Sequence, residues 1–325
     1  MIIKGKDTTI RPCVATIGSF DGVHLGHQHV ISQLALLGRG CQLSTMAVSF
    51  SNHPLQVLHP EYQPQMLSTT DEKVERLLKA GADKVALLTF SKEMAAMSAK
   101  DFMQSVLRDS LQVKKLMIGY DNHFGHDRCG FEVCKQYGQE MGMEVLSCEE
   151  WNDGTPVSST RIRQYLIDGD IDSANKALGY RYTLCGEVVP GFQNGRKLGY
   201  PTANICADSQ KLIPADGVYL VRVEMKESND TNATARPEQH QHSAMQSMAG
   251  MMNIGTRPTM HNGSNRSIEV HILDFHGDLY GRRLKIEIEQ RLRGEREFGS
   301  IESLTAQLKA DEAACRRLSS AWHTL

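Results

Sequence analysis

Three groups of residues in this chain combine side chains and spacings suited to phosphate chemistry. The first is Gly18 to His27, GSFDGVHLGH. It follows the apolar run Val14-Ala15-Thr16-Ile17 and precedes a helical pattern with Val30, Ile31, Leu34 and Leu37 on one face. That order predicts a strand, a tight glycine turn and a helix N-terminus. Such a terminus presents unpaired N–H groups and partial positive charge, so it suits an anion. His24 and His27 fall on the same side of the first turn, each with a ring N–H to offer. Gly22 and Gly26 let a ligand approach the backbone closely. The stretch reads as a phosphate cradle with two histidines aimed into it.

The second group is Ser158-Ser159-Thr160-Arg161-Ile162-Arg163, at the predicted start of a helix with Ile162, Leu166 and Ile167 on its apolar side. One hydroxyl there reads as an ordinary cap. Two arginines in a first turn oppose the helix dipole, which makes sense if an anion sits beside them. This turn is expected to be the second half of a triphosphate clamp. The third group runs from Gly191 to Asn204 and contains Gly195, Arg196, Lys197, Gly199 and Thr202. Glycines and cations can wrap phosphates. Thr202 and Asn204 add neutral oxygens two residues apart, of the kind Mg²⁺ accepts alongside phosphate and water. Glu269 falls in an alternation that sets Ile268, Val270 and Ile272 on one side of a strand and Glu269 with His271 on the other, which on pattern alone reads as a polar group on a solvated strand face. A P-loop is excluded, because no GxxxxGK[ST] string occurs.

These residues need elements to hold them. From Val14 to Cys148 strand-like runs (Leu43–Phe50, Lys84–Phe90, Lys115–Ile118, Glu144–Cys148) alternate with helical patterns. Thr69-x-x-Glu72 and Ser98-x-x-Asp101 mark two helix starts, and Phe131 to Gly142 supports a third helix. The alternation predicts an α/β domain built on a doubly wound parallel sheet, with ligands beyond the C-terminal ends of its strands. Near Tyr180 the pattern changes. Tyr182–Val189, Gly217–Met225, Ser267–Leu273 and Leu284–Leu292 read as strands of a small antiparallel β-barrel, closed off by an amphipathic terminal helix over Ser300–Leu325. Domains of 1–180 and 181–325 follow, with a flexible polar insertion at 226–250 inside the second.

The chain's 325 residues, 40% hydrophobic and 23% charged, suit two globular domains. A net charge of −2 offers no basic field for nucleic acid. No signal peptide and no apolar run of about 20 residues is present, so a cytoplasmic protein without membrane association is expected. The eight cysteines form no CxxC pair and are expected to be reduced.

GSFDGVHLGH resembles the HxGH signature of nucleotidyltransferases. The wider chain resembles the prokaryotic bifunctional riboflavin kinase/FAD synthetases. The resemblance rests on that stretch, on Phe50-x-x-His53-Pro54, Ile118-Gly119-Tyr120-Asp121 leading to Phe124-Gly125, and SSTRIR. In the second half it rests on GRKLGYPTAN, Gly217-Val-Tyr219, Asn253-Ile-Gly255, Ile268-Glu269 and Leu279-Tyr280-Gly281. It implies two reactions, riboflavin plus ATP to FMN in the barrel and FMN plus ATP to FAD in the α/β domain, both with Mg²⁺. It further implies that Glu269, His24, His27 and Arg161 are catalytic. Nucleotide binding is implied for Gly18, Phe20, Gly26, Ser158, Ser159, Thr160, Arg163, Gly191, Gly195, Arg196 and Gly199. Flavin binding is implied for Asp121 and Phe124, and metal binding for Thr202 and Asn204. Asn122 stands where the family often has an aromatic, which keeps open a kinase with an impaired adenylyltransferase domain. A non-catalytic flavin-binding regulator is the other alternative.

Overall fold

The computed structural model describes residues 1–119, 124–149, 151, 156–191, 194–225, 247–256 and 266–323. Asp121, Asn122 and residues 226–246 of the expected insertion lie outside them. The chain forms two compact units, Met1–Arg161 and Ile162–Leu325.

The first unit is built on six strands: β1 (Ile2–Gly5), β2 (Cys13–Ile17), β3 (Ser44–Phe50), β4 (Lys84–Leu88), β5 (Val113–Ile118) and β6 (Glu144–Ser147), in the order β1-β4-β3-β2-β5-β6. β2 to β6 are parallel, as the alternating pattern predicts. β1 adds an antiparallel edge that the sequence reading did not include. All five residues of β2 are buried, because helices cover both sheet faces. The chain leaves β2 for β3 on one side and later fills β5 on the other. The strand order therefore reverses at β2, and the place beyond its C-terminal end is where sheets of this kind bind ligands. GSFDGVHLGH occupies that place.

Local signals set the helix starts. Thr69 Oγ1 accepts from the Glu72 N–H while Glu72 Oε2 accepts from the Thr69 N–H, and the helix Thr70–Lys79 follows. Ser98 likewise accepts from the Asp101 N–H. The helix it opens passes after Asp101 into a wider π-helical ladder over Phe102–Ser110, a difference that the side-chain pattern does not signal. The helix Leu25–Cys41 buries Ile31, Leu34 and Gly38. Gly38 has no room for a side chain, since a Cβ would lie 2.3 Å from Thr45 Cγ2.

The second unit contains a closed antiparallel barrel of β7 (Tyr182–Val189), β8 (Ala203–Ala207), β9 (Gly217–Met225), β10 (Met248–Thr256), β11 (Arg266–Ile272) and β12 (Arg283–Gly294), in the order β10-β11-β8-β7-β12-β9. Two of these strands depart from the sequence reading. β8 lies in the stretch read as a glycine-rich loop. β10 takes Met248–Gly250 from the end of the expected insertion. Glycine and small residues mask both strands by weakening the apolar alternation. The terminal helix is Ile301–Ser319, capped by Ser300, with one 3₁₀ turn after it. It packs Leu308, Cys315 and Leu318 against Tyr200, Val218, Leu220 and Met251. Ahead of the barrel, the helix Ile171–Leu178 carries buried Asn175. Its side chain donates to the Ile288 carbonyl and accepts from the Tyr182 N–H. The sequence boundary near 180 marks where helices give way to strands, whereas compactness divides the chain after Arg161.

Candidate active sites

In the first unit, Gly18 leaves β2 with its N–H donated to Val48 O of β3. The loop then makes a tight reversal, with Phe20, Gly22 and Val23 all at positive φ. For Phe20 and Val23 that conformation is costly and must be held by the surroundings. Asp21 supplies much of the hold. Its buried carboxylate accepts from the Leu67 N–H, the Ser68 N–H and the Ser68 hydroxyl, and Ser68 Oγ in turn accepts from the Gly22 N–H. His24 is the residue before the first helical turn and His27 lies within that turn. Their rings stack with centroids 3.7 Å apart, and Phe20 meets His27 edge-on. A side chain at Gly26 would crowd the His24 ring at 3.3 Å.

Both histidines have a buried Nδ1 with no protein partner. Burial pushes the His24 imidazole down to about 4, with Asp21 opposing the shift. Burial also lowers His27 well below the usual value, helped by the charges of His24 and Lys73. At neutral pH the pair therefore consists of uncharged imidazoles, each able to donate one N–H. The second clamp element divides its roles. Ser158 Oγ accepts from the Arg161 N–H, which makes it a helix cap, while Ser159 Oγ donates to Asp21 O and so ties the SSTR turn to the glycine loop. The Arg161 guanidinium is exposed and donates to Pro156 O. Thr160 is exposed, and Arg163 lies two residues on, inside the second unit. Phe124 is buried in the core against Phe102, with its backbone paired to Cys129. Its ring thus packs inward. His53 caps the short helix Pro54–Leu58 by accepting from the Leu55 N–H.

In the second unit, Glu269 lies between Asn204 on β8 and Asn253 on β10, each its direct cross-strand partner. Thr202 Oγ1 donates to Glu269 Oε2 at 3.2 Å. Ile268, Val270 and Ile272 are buried on the opposite face, as the alternation requires. Gly191 touches this group directly: a Cβ there would fall 2.0 Å from Asn204 Nδ2. Gly195 sits under the Tyr200 carbonyl, and Gly199 takes a left-handed φ of 83° that closes the turn. Two cavities meet at Thr202. One, of about 420 Å³, is lined by Arg196, Thr202, Phe275 and Tyr280. The other, of about 320 Å³, is lined by Glu269, Asn253, Arg293, Phe298 and Leu308. Glu269 and Gly195 therefore line one cavity, while Arg196 lines the other.

Residues 6–161 match the FAD synthetase family model and residues 178–319 match the riboflavin kinase model. The bifunctional riboflavin kinase/FMN adenylyltransferase of Pseudomonas fluorescens is 37% identical over 310 residues, 95% of this chain and 93% of that protein. The chain belongs to the bifunctional riboflavin kinase/FMN adenylyltransferase family. The Escherichia coli K12 member is 35% identical over 94% of this chain and 92% of its own length. The crystal structure of a macrolide-efflux protein from Streptococcus pneumoniae is 31% identical, with a TM-score of 0.82 over 95% of each chain. No helix among the described residues is long and apolar enough to cross a membrane.

Three features of the two candidate sites escaped the sequence reading. Asp21 lies inside the quoted motif, but only the fold shows that it anchors residues 67–68. Lys73 reads as one more helix-surface lysine, yet it is buried, and its Nζ donates to Phe50 O at 2.9 Å. Arg293 lines the Glu269 cavity and is held by Asp311 of the terminal helix through Nε and Nη2. A cation of β12 and an acid of the terminal helix had no shared signal in the sequence.

Proposed function

We propose that FMN is adenylylated at the His24–His27 cradle, in a domain of residues 1–180, and that riboflavin is phosphorylated at Glu269, in a domain of residues 181–325. The observation that carries this reading is the Thr202–Glu269 contact beside Asn204, between two cavities. Riboflavin reacts through a primary alcohol that is hardly ionised at neutral pH, so a positioned base is required. Glu269 supplies it. Thr202 and Asn204 would hold Mg²⁺. The donor set they offer is neutral oxygen, which nucleotide phosphates would complete. Hard oxygen donors of this kind suit Mg²⁺. Thr202 can turn its lone pairs toward a cation while its O–H still donates to the Glu269 carboxylate. When bound, the cation offsets charge on the transferred phosphoryl group. Gly191, Gly195, Arg196 and Gly199 form the nucleotide side of the site.

FMN arrives at the other site as a phosphate that is mostly anionic at pH 7, so no base is needed. That site needs donors that offset charge on the α-phosphate and leaving pyrophosphate. His24, His27, Arg161 and the N–H groups around Gly18, Phe20 and Gly26 fill that role, with Ser159 and Thr160 beside them. All eight cysteines are unpaired, which fits a reducing cytoplasm. The test is direct. Purified protein given riboflavin, ATP and Mg²⁺ should form FMN and then FAD. FMN without FAD would leave the kinase half of the proposal alone.

A further inference from the structure

Lys73 sits at the fourth position of the helix Thr70–Lys79 and is 4% exposed. That is a doubly unfavourable place for an ammonium group. Burial removes its water, and the helix N-terminus already carries positive charge. A lysine retained only for structure would be expected to satisfy its three N–H donors. The structure gives it one hydrogen bond, to the Phe50 carbonyl, and no ion pair within 4 Å among the described residues. Phe50 ends β3, the neighbour of β2, so this carbonyl lies on the rim of the sheet from which the glycine loop departs. Burial lowers the Lys73 pKa below its usual value and Asp21 opposes that shift, while the Lys73 charge adds to the burial that lowers His27. The lysine thus lies within electrostatic reach of both the donor pair and the loop anchor.

The site has to gather two anionic substrates. Its histidines are uncharged at neutral pH, and Arg161 is exposed to water, where its charge is screened. We propose that Lys73 is the fixed cation of the adenylylation site, a positioning residue whose buried charge draws phosphates into the cradle and whose bond to Phe50 fixes the β3 rim. The inference rests on the assignment of FMN adenylylation to this site. A buried charge acts there with little screening, so its removal should be felt strongly although it need not touch a reacting atom. Its field adds to the burial that keeps the neighbouring imidazole uncharged, with one donor and one acceptor nitrogen on His27.

The test compares Lys73→Gln and Lys73→Met with His24→Ala in the full-length protein. FAD formation from FMN and MgATP should fall about 10²-fold in both lysine variants, and riboflavin phosphorylation should stay within two-fold. The His27 ring, followed by NMR, should titrate at higher pH in Lys73→Gln than in the unaltered protein. A space-filling lysine would leave that midpoint unmoved. In the unaltered protein, which carries no folding risk, the Lys73 ammonium resonance should shift when inorganic pyrophosphate is added. FAD synthesis within three-fold of normal in the lysine variants, or an ammonium signal unmoved at saturating pyrophosphate, overturns the role of Lys73. If His24→Ala also retains FAD synthesis, the placement of the reaction fails. If it does not, the inference about Lys73 fails alone.

Discussion

Glu269→Gln keeps the side chain's size and much of its hydrogen bonding while removing basicity. Kinase turnover should fall by roughly 10²–10⁴, the usual contribution of a general base. Conversion of supplied FMN to FAD should persist, because that nucleophile is already ionised. Steady-state rates with riboflavin and with FMN, measured on the same preparation, separate the two; normal phosphorylation would remove Glu269 as the base. His24 makes a prediction about pH. Its folded pKa, about 4, lies below the ordinary 6.5, so on acidification the unfolded chain takes up the proton first. Stability tied to this group is complete above about pH 6.5 and declines as pH falls toward 4. Between pH 7 and 5 the loss attributable to His24 should be about 2 kcal/mol. Urea midpoints of the unaltered protein and of His24→Asn should therefore converge as the pH is lowered. Parallel curves would show that His24 does not titrate as its burial requires.

Among the elements, the terminal helix Ile301–Ser319 is tied to the kinase cavity by one charged pair. Arg293 grips Asp311, which is nearly buried, while Leu304 and Leu308 of the same helix line the cavity that Glu269 faces. Asp311→Ala leaves that arginine without its partner and should cost about 3 kcal/mol of stability. The KM for riboflavin should rise more than kcat falls, because the change reaches the cavity wall and not the base. An unchanged KM in a folded variant would show that the helix is only a cover. This coupling illustrates what the sequence could not display. Period and capping signals placed the parallel strands, the Thr69 box and most of the barrel, since each is local. The β8 and β10 strands lacked alternation, and the β1 edge is only four residues long. In the candidate sites, residue type and spacing singled out His24, His27, Thr202 and Asn204, and the family resemblance singled out Glu269. Asp21, Lys73 and Arg293 act through partners at least 18 residues away in sequence, as Arg293 does with Asp311, and no periodicity reports such a pairing.

At the scale of the molecule, the proposed assignment puts the two reactions in separate units, so each should survive loss of the other. A barrel fragment must begin ahead of Asp170, because Asn175 pairs with Tyr182 and Ile288 and a start at Gly179 would orphan both backbone groups. A fragment from Ile162 to Leu325 should fold, form FMN and make no FAD. A soluble, folded fragment without kinase activity would contradict the partition. Barrel closure has one more result, concerning what each half exposes to other chains. A strand edge is a template on which foreign strands can add, and a closed barrel has none. The parallel sheet keeps two, β1 and β6, each four residues long, and β6 begins with Glu144, paired to Lys115. Shortness and charge blunt those borders. Among the described residues, the hazard of runaway strand addition is therefore confined to the unit that matches FAD synthetases, and the barrel carries no ladder for it to begin on.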